Sequence, residues 1–254
     1  ASSTQAGHAN LYGRSKLKAE LAVLKLAKDT DTPSFIYRLP GVFGKWSKPN
    51  YNSVVATFCY NINNDIPLQI NDPDTELKLV YIDDVVEQFL SVIQGAEYDC
   101  EMPSVQPEYR IKLGDLASQI RMFKSSNDTL ITERVGSGFS QKLYSTFLSY
   151  TPPDRFAYPI SSYSDERGIF AEILKTKDSG QFAFFTAKPG VTRGGHYHHS
   201  KTEKFLVVKG QAKFCFRHVI SRERYEIITT SDELKIVETC PGWAHSITNI
   251  GSED

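Results

Sequence analysis

Four cysteines are few for 254 residues, and Cys59, Cys100, Cys215 and Cys240 form neither a CxxC pair nor a regular framework. Their scarcity argues against a disulfide scaffold and for a reducing compartment, which predicts a cytoplasmic protein. Net charge is equally scarce: 29 Lys and Arg against 30 Asp and Glu leave a formal charge of −1. Nothing in that balance calls for nucleic acid or an anionic membrane as a partner. No apolar run approaches the length of a transmembrane helix, and no signal peptide is visible. The chain also lacks an initiator methionine, opening on Ala1, Ser2, Ser3 and Thr4, and so reads as a fragment. Its length still suffices for two domains with a core each.

What is present is concentrated between Gly190 and Gly210, where His196, His198 and Glu203 precede the apolar run Phe205 to Val208. Two histidines at i and i+2 face the same way on an extended strand, because side chains alternate faces with a period of two. A short loop can return Glu203 to the same cavity. His245 is the one later histidine with turn residues just before it, Pro241 and Gly242, and is the candidate fourth ligand. Three imidazoles and a carboxylate suit Zn²⁺ or another divalent transition metal. The spacing of Gly190, His196, His198, Glu203 and Gly210 resembles the first motif of the cupin family, and Gly242, His245 and Asn249 resemble its second.

Near the start of the chain, Leu17, Leu21, Leu24 and Leu26 recur at helical intervals, and Tyr12 and Lys16 lie four apart on the same stretch. One helical face therefore presents both side chains to a common point. An ammonium beside a phenol favours the phenolate, and such a phenol can exchange a proton with a carbonyl or alcohol. A serine followed by Tyr-x-x-x-Lys resembles the catalytic signature of the short-chain dehydrogenase/reductases, and Tyr12-Gly-Arg-Ser-Lys16 resembles their extended, nucleotide-sugar-modifying branch. That resemblance implies that Ser3 orients the substrate oxygen, Tyr12 is the acid/base and Lys16 holds the cofactor ribose beside Tyr12. It also makes Arg38, in the string Ser34 to Gly44, a substrate-binding candidate, and it places Gly41 where relatives often carry Asn. Leu79 to Glu87 resembles the same family's strand-to-helix segment. The Gly-rich phosphate loop that should follow the first strand of a dinucleotide fold occurs nowhere in the chain, so poor nicotinamide binding is expected.

Helical spacing returns from Leu113 to Lys124 and from about Phe139 to Tyr150, after which Thr151, Pro152 and Pro153 break the pattern. The expected domains are residues 1–153, the C-terminal portion of a Rossmann-type extended reductase, and 154–254, a truncated cupin. Beyond Tyr158 short alternating runs at Gly180–Thr186, Lys204–Val208, Ala212–Arg217 and Tyr225–Thr229 predict an all-β double-sheet jelly roll. The fold class expected overall is α/β plus all-β. Asp165 to Glu172 resembles the Asp-x-Arg-Gly-x-Phe-x-Glu motif of the deoxysugar 3,5-epimerases, which implies that Arg167 contacts a nucleotide diphosphate. Arg193 to His198 resembles a second motif of those epimerases, with His198 where they carry Gln. His196 is accordingly either a metal ligand or a free base, and His199 and Lys201 are further candidates for the base.

A reductase of this type followed by a metal cupin resembles a family of bifunctional capsular-polysaccharide enzymes over nearly the whole chain. The resemblance implies a UDP-4-keto-6-deoxy-N-acetylhexosamine substrate, C3 epimerisation in the cupin, C4 reduction by NADPH, and a product leading to UDP-N-acetyl-L-fucosamine. It also implies a homodimer. Two other readings stay open: a cupin that is a metal-stabilised binding or dimerisation module, and a metal-dependent isomerase or dioxygenase.

Overall fold

The computed structural model describes residues 1–96 and 102–254, which leaves Cys100 outside. It separates into two compact units, Ala1–Tyr158 and Pro159–Asp254. The proline break after Thr151 forms a short 3-10 turn, Pro153–Arg155, just ahead of that division. Among the described residues no helix is long and apolar enough to cross a membrane, and Cys59, Cys215 and Cys240 are free thiols.

In the first unit, β1 (Ser2–Ser3) runs parallel to β2 (Arg38–Leu39), and helix α1 (Leu11–Thr30) connects them. Strand β1 ends at Ser3, which caps a 3-10 turn, Thr4–Gly7, through its side chain. A three-stranded sheet follows, with β3 (Gly41–Phe43) parallel to β4 (Glu76–Tyr81) and β5 (Tyr109–Lys112) antiparallel to β4. Helices α2 (Val54–Asn63) and α3 (Ile82–Ile93) flank β4 in sequence, and α4 (Leu113–Thr129) follows β5. A two-residue strand, β6 (Ile131–Thr132), precedes α5 (Gly138–Leu148). The buried positions of α4, Leu116, Ala117, Ile120 and Phe123, recur every three or four residues. They meet Phe58 and Cys59 of α2 and Leu143 and Phe147 of α5 in one core. Each large side chain buried there contributes on the order of 2 kcal/mol.

The second unit is all strand. One antiparallel sheet joins β7 (Ser162–Asp165), β8 (Gly168–Thr176) and β9 (Gln181–Phe185). A second has the order β10 (Thr192–His196), β15 (Trp243–Asn249), β12 (Gln211–His218), β13 (Arg224–Thr230). The short pair β11 (Glu203–Leu206) and β14 (Ile236–Thr239) covers it. Alternation along β12 turns Ala212, Phe214 and Phe216 inward, where they pack with Val237 of β14 and Phe205 of β11. Strands β14 and β15 were not expected from the sequence. Yet β15 lies inside the larger sheet, and that position carries His245 to the middle of the unit.

Candidate functional site

The four candidate ligands of the second unit come from three strands and a loop. His196 ends β10, His245 lies on the neighbouring β15, and the two are direct partners in register. A bulge between Gly194 and His196 makes that pairing possible. Gly194 and Gly195 both have left-handed backbone, with φ of 92° and 83°. A Cβ at Gly194 would stand 2.8 Å from the His245 carbonyl oxygen, so glycine is required there twice over. His198 lies past the end of β10, in a loop rather than on the extended strand expected. Its carbonyl accepts the Gly242 N–H at 3.2 Å, which ties that loop to the turn before β15. Glu203 opens β11 opposite Thr239, and its N–H donates to the Thr239 hydroxyl at 3.0 Å.

One donor atom from each of His196, His198, Glu203 and His245 falls within 4.8 Å of all the others. Glu203 Oε2 is 3.3 Å from His198 Nε2 and 3.1 Å from His245 Nε2. His198 Nε2 and Glu203 Oε2 are buried without a hydrogen-bond partner, a costly arrangement unless a cation completes it. Burial holds His245 below the usual imidazole value; Glu203 opposes this and His196 reinforces it. For Glu203, burial raises the carboxyl, but the Lys201 hydrogen bond and charge, together with His198 and His245, outweigh it and leave it below the usual range. A neutral imidazole and an anionic carboxylate are the forms in which these side chains ligate a metal. His196 is the exposed member and His245 the buried one. An N₃O donor set of this kind fits Zn²⁺.

The remaining candidates of this unit are placed as follows. Lys201 donates to Glu203 Oε1 at 2.7 Å, and His199 packs edge-on against Tyr197, with ring centroids 5.2 Å apart. Arg193, on β10 with His196, donates through Nε to the Thr186 carbonyl at 3.0 Å and lies over the Phe185 ring. One of its terminal nitrogens is buried with no partner. Arg167 grips Asp165 through Nε and a terminal nitrogen, at 2.9 and 2.6 Å, and holds that carboxyl below the usual range.

In the first unit, Tyr12 and Lys16 share a face of α1, with the Lys16 ammonium 5.5 Å from the Tyr12 ring centroid. Asn10 caps the helix by accepting the Gly13 N–H at 2.7 Å. Gly13, inside the Tyr-x-x-x-Lys string, has a packing reason: a Cβ there would lie 2.3 Å from the Gln5 carbonyl and 2.4 Å from that of His8. Ser3 Oγ accepts the Gln5 N–H at 3.2 Å, so its own proton stays available. The Arg38 guanidinium is committed to Glu20 of α1, with contacts of 2.9 and 2.6 Å, and Ser2 donates to the same carboxylate. Glu20 is buried, and the Arg38 hydrogen bonds keep it below the usual carboxylate range. A Cβ at Gly41 would stand 2.9 Å from Leu79 Cδ2, so an asparagine there would have to displace that side chain.

Two clefts open on the first unit. One, of about 310 Å³, is lined by Thr4, Gln5, Gly41 and Asn52 among others. The other, of about 740 Å³, is rich in amides, with Asn50, Asn52, Asn61, Gln69 and Asn71 on its walls. Sequence reasoning had no role for Asn61, whose Oδ1 is buried without a partner. The string Pro49-Asn-Tyr-Asn-Ser53 was the available signal.

Over 253 residues, all of this chain and 68% of the relative, the sequence is 56% identical to a UDP-2-acetamido-2,6-β-L-arabino-hexul-4-ose reductase of Pseudomonas aeruginosa. The chain belongs to this reductase family. Family models agree unit by unit: that of the NAD dependent epimerase/dehydratase family matches residues 1–100, and that of the polysaccharide biosynthesis C-terminal domain matches residues 163–254. The crystal structure of the capsular polysaccharide assembling protein CapF from Staphylococcus aureus superposes with a TM-score of 0.95 at 41% identity, covering all of this chain and 69% of CapF. A second CapF structure, with the inhibitor 3-isopropenyl-tropolone, gives a TM-score of 0.88 at 40% identity, over 92% of this chain and 68% of that one. A reductase of the epimerase/dehydratase family works with a nicotinamide cofactor.

Proposed function

We propose that this chain belongs to an enzyme that remodels a UDP-linked 4-keto-6-deoxy-N-acetylhexosamine at two neighbouring carbons. The second unit, a cupin, epimerises C3, and the first reduces the C4 ketone with NADPH, toward UDP-N-acetyl-L-fucosamine for capsular or O-antigen polysaccharide. The observation that carries the epimerase half is the convergence of His196, His198, Glu203 and His245, with His198 Nε2 and Glu203 Oε2 buried and unpartnered between them. The reductase half rests on the whole-chain identity to a reductase of that name. We place the reaction in the cytoplasm and in a homodimer, the latter testable by sedimentation velocity.

When bound by those four side chains, Zn²⁺ supplies Lewis acidity that makes the proton beside a ketone removable. Arg193, with one nitrogen buried and unpartnered, has hydrogen-bonding capacity left for an anionic substrate, and Arg167 offers its exposed guanidinium to the diphosphate. In the first unit a bound NADPH would supply the hydride for C4. Tyr12 gives its phenolic proton to the ketone oxygen, and the Lys16 ammonium beside the ring stabilises the phenolate left behind. Ser3 donates the hydroxyl proton that its own acceptor role toward Gln5 leaves free. Arg38 already serves Glu20, so it reaches substrate only through its remaining N–H groups.

A second reading has a specific observation behind it. Four protein ligands close a tetrahedral site, the pattern of a structural rather than a catalytic metal. The cupin would then be a metal-stabilised binding or dimerisation module. Exchange of the C3 proton in D₂O decides between the two: deuterium entering the keto-sugar with the zinc-loaded protein, and none with His245→Ala, supports the epimerase. No exchange by a protein shown to hold one zinc would sink it and leave the module.

A further inference from the structure

The two oxygens of Glu203 have different surroundings. Oε2 is buried, faces His198 Nε2 at 3.3 Å and His245 Nε2 at 3.1 Å, and has no hydrogen-bond partner. Oε1 points the other way and accepts from the Lys201 ammonium at 2.7 Å. The backbone of Glu203 is fixed as well, because the hydroxyl of Thr239, 2% exposed, accepts its N–H at 3.0 Å. We infer that Lys201 is a positioning residue of the metal centre, holding Glu203 so that it offers a single oxygen to the cation. The inference rests on the metal reading above.

A free carboxylate can rotate about its last torsion and present either oxygen, or both, to a cation. Lys201 removes that freedom by occupying one oxygen, just as hydrogen-bond partners behind a ligating group orient it in other metal sites. Its neighbourhood assigns it that task rather than the base's: the ammonium is already directed at Glu203, two positions along the chain. The Lys201 side chain is 57% exposed, so its replacement leaves the packing of the unit intact.

The sign of the effect separates positioning from simple charge. An ammonium near a dication repels it, so if Lys201 acted by charge alone, Lys201→Met would tighten metal binding. If it positions Glu203, the same substitution weakens binding by about 10- to 100-fold, the usual cost of losing such a partner. Lys201→Arg keeps a charged donor and should stay close to wild type. The measurement is Zn²⁺ affinity of the whole 254-residue chain by competition with a chromophoric chelator. Thermal melts of the metal-free proteins run alongside to show that folding is unchanged. Weaker binding by Lys201→Met, restored by Lys201→Arg, supports the inference. Equal or tighter binding by Lys201→Met overturns it and leaves the metal centre standing. A wild-type chain that retains no zinc overturns the metal reading beneath it.

Discussion

The two candidate sites are built in opposite ways. The Tyr12, Lys16 pair lies on one helix, with Tyr12 55% exposed, and its geometry follows from helical periodicity alone. The histidine and glutamate cluster is assembled from two neighbouring strands, a loop and a third strand, and it encloses polar atoms that find no partner within the protein. The first site depends on local backbone, so it should tolerate damage elsewhere. The second depends on register, so a single shifted strand should dismantle it.

That contrast can be broken in four places. The largest effect is expected at His245, the buried member of the proposed ligand set: His245→Ala should weaken zinc binding by up to about a thousandfold, one ligand's share of a typical site energy. Elemental analysis of the gel-filtered protein would fall from about one zinc per chain to near none; retained metal would remove His245 from the ligand set. Next is Tyr12→Phe, which takes away the proton donor without disturbing a half-exposed side chain. In a protein extended to include a phosphate-binding loop, reduction of the 4-keto sugar should slow about a hundred- to a thousandfold, with the melting temperature unchanged. Undiminished turnover would deny Tyr12 its role.

Gly194→Ala tests register directly. A methyl group at φ 92°, 2.8 Å from a carbonyl oxygen, should cost roughly 2–3 kcal/mol by denaturant titration and lower zinc affinity as well. A stable variant with normal affinity would mean that the bulge is not what aligns His196 with His245. The smallest effect is expected at Arg38, which is partly exposed: Arg38→Met leaves the Glu20 carboxylate buried with only the Ser2 hydroxyl donating to it, at a cost of about 2 kcal/mol at neutral pH. In the native protein Glu20 lies below its unfolded value of about 4.3, so its pairing stabilises above that pH and is lost as the pH falls through the lower, folded value. The gap between Arg38→Met and wild type should therefore narrow on acidification. A gap independent of pH would mean that packing, not charge, is what Arg38 supplies.

Legibility followed the same division. Tyr12 and Lys16 could be found by counting residues, and so could His196, His198 and Glu203, because all are short-range patterns. His245, though distant, could be named from the turn residues Pro241 and Gly242 just before it; what could not be read was side-chain packing against a distant partner. Glu20 looks like one more solvated charge on a lysine-rich helix, and only the return of β2 shows it buried beneath Arg38. Thr239 is an unremarkable β-branched residue until β14 is laid against β11 and its hydroxyl meets Glu203. His198 was expected on a strand because the i, i+2 rule asks for one. The chain instead reaches the same cavity through a loop, since Gly194 and Gly195 have already turned β10 at its end. The reason for Gly13 was hidden too, although its place in the motif was plain.

The order of the proposed ligands along the chain has a thermodynamic consequence. Three of them fall between positions 196 and 203 and the fourth stands at 245. A denatured chain therefore keeps most of the donor set within reach of itself, and a cation can bind there weakly. Zinc should raise the melting temperature only by the difference between that partial grip and the complete one, so it is His245, arriving with the last strand of the sheet, that converts metal binding into folding stability.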